Sequence, residues 1–106
     1  MAIKNAKAKG NQREHKCMKS LEDVGYSCVR AAASLGVFDV IASNRLGTRY
    51  IQVKSNCWPC PAERRAMAHA LRKLPPGSTA ECWRYDDYAR APRIKHVDEF
   101  GGIYDE

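Results

Sequence analysis

The chain has 106 residues, 44% of them hydrophobic and 28% charged, with a net charge of +6. That length fits one domain with a modest core, and no apolar run approaches the roughly 20 residues of a bilayer-spanning helix. The basic N-terminus has no apolar signal-peptide core, so secretion is not expected. The five cysteines, of which only Cys57 and Cys60 are closely spaced, are expected to be free thiols of a reducing, cytoplasmic setting.

Residues 1–10 alternate Ala, Lys and Asn up to Gly10 and read as a flexible basic arm. Within the first 20 residues Lys4, Lys7, Lys9, Arg13, Lys16 and Lys19 face a single acid, Glu14. A basic arm beside a folded domain is the electrostatic footprint of a polyanion binder, with a solvated tail as the plainer reading. Asn11 is the expected N-cap of a helix running to about Val24 and closed by Gly25. Its buried stripe is Cys17, Met18, Leu21 and Val24, and Glu14 extends that stripe by one turn. A carboxylate on a core face needs a partner or a metal, although an acid near a helix N-terminus is also favourable in itself. Glu22 and Asp23 fall on the polar face.

Residues 26–32 read as a strand, with Arg30 either on a phosphate or merely at the surface. A small-residue loop, Ala33 to Gly36, follows. Val37–Ala42 is an apolar strand interrupted by Asp39, Ser43–Gly47 a turn, and Tyr50–Ser55 a second strand rich in β-branched and aromatic residues. Period-two alternation puts Ile51 and Val53 on one face and Gln52 and Lys54 on the other. Pairing of the two strands brings Asp39 beside Gln52 and Lys54. Cys57-Trp58-Pro59-Cys60 has the spacing of half a zinc site or a redox pair, but a plain turn with free thiols is preferred because no second ligand pair exists. Trp58 either stacks on a base or packs under the sheet. Pro61 opens a helix to Leu74, whose polar face holds Glu63, Arg64, Arg65, Arg72 and Lys73 and whose lone His69 reads as a surface residue. Pro75-Pro76-Gly77 ends it. Residues 79–85 and 93–97 are closing strands, the latter suiting a basic edge, and residues 98–106 are an acidic tail. The domain boundaries expected are therefore 1–10, 11–97 and 98–106. The fold class is α/β, a small mixed sheet flanked by helices.

The grouping of Asp39, Gln52 and Lys54 has a chemical use. A carboxylate and a second oxygen can hold Mg²⁺, a hard ion that takes oxygen ligands and lowers the pKa of a bound water. A lysine beside it orients the nucleophile or stabilises charge building on a phosphodiester. An ordinary amphipathic hairpin with polar residues facing water accounts for the same spacing equally well.

Four stretches carry a family resemblance: Lys9 to Glu14, Gly25 to Ala31, Gly36 to Ala42 and Ile51 to Ser55. In that order and spacing they resemble the PD-(D/E)xK nuclease superfamily and, more narrowly, archaeal-type Holliday junction resolvases. The resemblance implies a restriction-endonuclease-like core and an Mg²⁺-dependent endodeoxyribonuclease, with Mn²⁺ as substitute. It implies metal binding by Asp39, Gln52, the Val53 carbonyl and Glu14, with Lys54 positioning the nucleophile and Ser34 contributing to activity. It implies DNA contacts from Lys4, Lys7, Lys9, Arg13 and Arg30, branched DNA as partner, and a homodimer. Two positions depart from the pattern: Phe38 replaces the proline, and Gln52 replaces an acid, bringing an oxygen without a charge. The alternatives are a nuclease for flaps or single strands, a DNA-binding protein that has lost cleavage, or a thiol or zinc module. The compact size fits a viral or mobile-element enzyme as well as a cellular one.

Overall fold

The computed structural model describes residues 6–31 and 36–105, with side chains from Gln12 onward. Its elements are α1 (Ala6–Glu22), β1 (Ser27–Arg30), β2 (Val40–Asn44), β3 (Gly47–Ser55), α2 (Pro61–Leu71), β4 (Ser78–Tyr85), β5 (Arg93–Val97) and β6 (Ile103–Asp105). The six strands form one sheet in sequence order. β3 and β4 are parallel and every other pair is antiparallel. A parallel pair needs a crossover connection, and α2 supplies it.

Alternation along the strands assigns the two faces. Val40, Ala42, Ile51, Trp83 and Tyr85 pack with Cys17 and Leu21 of α1. Ala80 and Val97 pack on the other face with Met67 of α2 and with Phe38. The mixed sheet between two helices is the α/β architecture expected from the sequence.

Several boundaries differ from expectation for identifiable reasons. Helix α1 starts at Ala6 rather than after Asn11, because the Ala and Lys residues of the presumed arm are strong helix formers. It ends at Glu22, and Tyr26 N–H to Leu21 O (3.0 Å) with Gly25 N–H to Glu22 O (3.1 Å) forms a Schellman closure at Gly25, φ +99°. Val24 therefore leaves the buried stripe and is exposed. Helix α2 ends at Leu71, not Leu74; the pair of prolines that follows disfavours helical backbone just before it. The β2–β3 turn is tighter than expected, with Asn44 Oδ1 accepting from Leu46 N–H at 2.8 Å. Gly47 is required there, since a Cβ would overlap the Gly77 carbonyl.

The acidic segment 98–106 is partly ordered into the sheet. Asp98 Oδ1 accepts from Phe100 N–H (2.9 Å) and Gly102 N–H (2.8 Å), turning the chain so that β6 lies on β5. The basic strand β5 is thus interior to the sheet and not its edge. Opposite charges across the two strands favour that pairing, with Lys95 Nζ 3.6 Å from Asp105.

Candidate active site

The site forms where β2 begins and β3 ends. Asp39 stands one residue before β2, and its N–H donates to Ile51 O at 2.8 Å. That places it opposite Gln52, as the hairpin reading required. Its Oδ2 accepts from Val53 N–H at 2.8 Å. Burial pushes the Asp39 carboxyl above its ordinary range. The Val53 N–H opposes that rise, Glu14 adds to it, and Lys54 and Arg30 oppose it.

Gln52 is only 6% exposed. Its Nε2 donates to Glu63 Oε2 at 3.2 Å, whereas its Oε1 is buried without a hydrogen-bond partner. A buried polar oxygen left unpaired costs on the order of 1–3 kcal/mol. Lys54 Nζ donates to both oxygens of Glu63 at 3.2 Å. Burial works against charge on Lys54, but the Glu63 hydrogen bond and charge prevail and hold its pKa above the usual lysine value. Burial likewise opposes charge on Glu63, and the Cys60 N–H and Lys54 outweigh it, holding its carboxyl below the ordinary range.

Glu63 is the residue that sequence reasoning missed, having been placed simply on the polar face of α2. Its Oε1 accepts from Cys60 N–H at 3.0 Å, and Cys60 is the N-cap of α2 with Pro61 following. The signal was available: a glutamate three residues beyond a helix start closes a capping box. Here five residues separate β3 from the helix, which brings that carboxylate back over Gln52 and Lys54.

Glu14 acts on Asp39 through its charge, and its Oε1 accepts from Arg30 Nε at 3.2 Å and Nη2 at 2.9 Å. Arg13 donates to the Tyr85 carbonyl and, at 2.7 Å, to Asp87 Oδ1. Both arginines expected on DNA therefore hold internal acceptors. Ser34 and Lys4 lie outside the described residues, as do the side chains of Lys7 and Lys9, whose backbone belongs to α1. Cys57 and Cys60 are exposed free thiols.

Among the described residues no group of three or more His, Cys, Asp or Glu is placed to hold a metal. A cation at this site depends on oxygens of other kinds, and the unpartnered, buried oxygen of Gln52, the residue opposite Asp39 in the hairpin, is such a donor. An all-oxygen set of this type suits Mg²⁺ rather than a softer ion, so the residues present fit the group.

A mixed sheet between two helices, with an acid and a lysine brought together by one hairpin, is the arrangement that the resemblance implies. Neither a protein-family model nor a curated protein matches the chain. Among solved structures it is similar to Hjc, a Holliday junction resolvase from the archaeal hyperthermophile Archaeoglobus fulgidus, with a TM-score of 0.71 and 22% identity over 84% of this chain and 73% of that one. The two share a fold.

Proposed function

We propose that this chain is a metal-dependent, structure-selective DNA endonuclease that resolves four-way junctions by phosphodiester hydrolysis. The observation that supports it most directly is the buried Gln52 oxygen, unpartnered beside Asp39 and one alternation step from Lys54, at the end of a sheet with a resolvase fold.

Asp39, Gln52 Oε1 and the Val53 carbonyl would hold Mg²⁺, with Glu14 assisting at longer range. The ion would lower the pKa of a bound water and offset charge on the phosphate. Lys54, kept protonated by Glu63, orients the nucleophile and donates to the oxygen on which negative charge builds. Water oxygen adds to phosphorus as the bond to the 3′ oxygen breaks, leaving a 3′-hydroxyl and a 5′-phosphate. Val53 N–H fixes one Asp39 oxygen, and the other would serve the metal. Ser34 and the lysines of the N-terminal segment, Lys4, Lys7 and Lys9, remain part of this reading as contributors to activity and backbone binding.

The test is cleavage of a labelled four-way junction beside matched duplex and flap DNA, with Mg²⁺, Mn²⁺ or EDTA. Paired symmetric nicks on the junction, dependent on metal and absent in Asp39→Ala and Lys54→Ala, are expected. Equal cutting of duplex or flap would replace junction selectivity with a broader nuclease activity. Binding without cleavage at any metal concentration would make this a DNA-binding protein.

A further inference from the structure

We propose that Arg84, Arg93 and Lys95, gathered around Trp58, form a phosphate-binding strip that grips the DNA backbone beside the phosphodiester at Lys54. This inference rests on the nuclease reading above. The strand register sets Lys54 of β3 beside Arg84 of β4, and Arg84 beside Arg93 of β5. Neighbouring strands lie about 4.8 Å apart, so these three cations make a straight row roughly 10 Å long that starts in the active site. The next row inward pairs Gln52 with Cys82 and Cys82 with Lys95. All of these side chains share the α2 face, but α2 packs over its far end, where Ala80, Val97 and Met67 form a core.

Trp58, in the connection from β3 to α2, gathers the cations. Arg84 and Arg93 Cζ are each 5.5 Å from its ring centroid and Lys95 Nζ is 5.1 Å away. Each such contact is worth only about 0.5–1 kcal/mol at an exposed site, while three like charges around one ring repel one another. The acids nearby compensate this incompletely. Arg84 is tied to Asp86 at 2.6 Å. Lys95 reaches Asp105 only at 3.6 Å, and that carboxylate is 85% exposed. Arg93 is exposed and pairs with no carboxylate among the described residues.

The cations are therefore arranged in line with the lysine of the site and supported by a ring, and because Lys54 and Arg84 are each paired with a carboxylate, the surplus charge lies on Arg93 and Lys95. A regularly spaced polyanion complements that shape; a nucleic-acid strand carries one phosphate per 3.4 Å of rise. With three cations at its ring, Trp58 serves to hold them in line rather than to stack on a base. Sequence reading allowed Trp58 a base or the sheet, and had no means of seeing that residues 58, 84, 93 and 95 meet.

The experiment is fluorescence anisotropy of a labelled four-way junction and of duplex DNA with EDTA present, titrated with salt. Arg93→Ala and Lys95→Ala are each expected to weaken binding to both DNAs several-fold. Each should also reduce the slope of log K against log salt by about one, the signature of a lost phosphate contact. Trp58→Ala should weaken binding with all three cations retained, and Trp58→Phe should recover most of it, thermal melts establishing that each variant is folded. Wild-type affinity and slope in the folded Arg93→Ala/Lys95→Ala double variant would overturn the strip while leaving the nuclease reading intact. Failure of the unaltered protein to bind DNA at any salt would instead remove the nuclease reading, and the strip with it.

Discussion

Gln52 brings an oxygen without a charge to the site, and Glu63 brings a charge whose oxygens are already in use. The Glu63 carboxylate accepts from the Cys60 N–H, the Gln52 amide and Lys54. Turning the Gln52 amide over would set its carbonyl oxygen against that carboxylate, so Glu63 fixes which end of Gln52 faces Asp39. A glutamate at position 52 would lose this donor and repel Glu63. Glu63→Gln should lower metal affinity about 10–100-fold, the usual effect of losing an outer partner of a metal ligand. Reversing the pair, Gln52→Glu with Glu63→Gln, should restore it, as read by Mn²⁺ titration calorimetry. Equal loss in the single and reversed variants would refute the positioning role.

Asp39 sits in a place that resists its charge, and this has two consequences at the same scale. A folded-state pKa raised above the unfolded one means that ionised Asp39 destabilises the fold, and that protonation relieves it. Asp39→Asn keeps an oxygen for the Val53 N–H and removes the charge, so it should melt a few degrees higher than the unaltered protein without metal. Mg²⁺ should raise the melting temperature of the unaltered protein through binding to the native state and leave that of the variant unmoved. A lower melting temperature in Asp39→Asn would contradict this account.

Between elements, the central parallel pair depends on an ion pair that no local pattern reveals. Glu81 of β4 is fully buried and accepts from Arg49 of β3 at 2.8 and 2.7 Å, and from Thr79 and Trp83. Burial pushes its pKa up, and the hydrogen bonds from Arg49, Thr79 and Trp83 overcome that and hold it below the ordinary 4.5. A lowered folded-state pKa contributes stability that is full above the unfolded pKa and lost as pH falls through the folded one. Denaturant midpoints should therefore fall on acidification below pH 4.5, and less steeply in Glu81→Gln. Glu81→Ala, which strands Arg49, should cost about 3–5 kcal/mol at neutral pH. Alternation made Asp39, Gln52 and Lys54 legible because all three lie on one hairpin, where period and pairing suffice. The Arg49–Glu81 pair was not, since its residues meet only once the crossover helix has returned the chain; Glu63 carried a capping-box signal, but nothing in the sequence set its carboxylate over Gln52 and Lys54. The sixth strand was hidden for another reason: its order comes from the turn around Asp98 and from Lys95, not from its own acidic composition.

At the scale of the whole molecule, the described residues carry one candidate site, while the four-way junction of the proposed reading offers two symmetric cleavage points. Two incisions in one encounter call for two sites related as the junction is, which a two-fold homodimer supplies. The outer edge of the sheet carries features that a partner would cover. β1 is the terminal strand, and Val29 on it is 57% exposed, with Val24 at 70% and Leu46 at 91%. Gly25, Ser27 and Leu46 line one open depression beside that edge, and an uncovered edge with apolar neighbours favours association. We therefore expect a dimer in sedimentation equilibrium, shifted toward monomer by Val29→Lys with Leu46→Glu. The decisive assay mixes the unaltered protein with Asp39→Ala in excess. Shared dimers would convert paired cuts into single nicks on each junction, in proportion to the heterodimer formed. If paired cuts persist at the level set by the unaltered protein alone, the two strands are cut without a shared dimer, and the two-fold assembly is wrong.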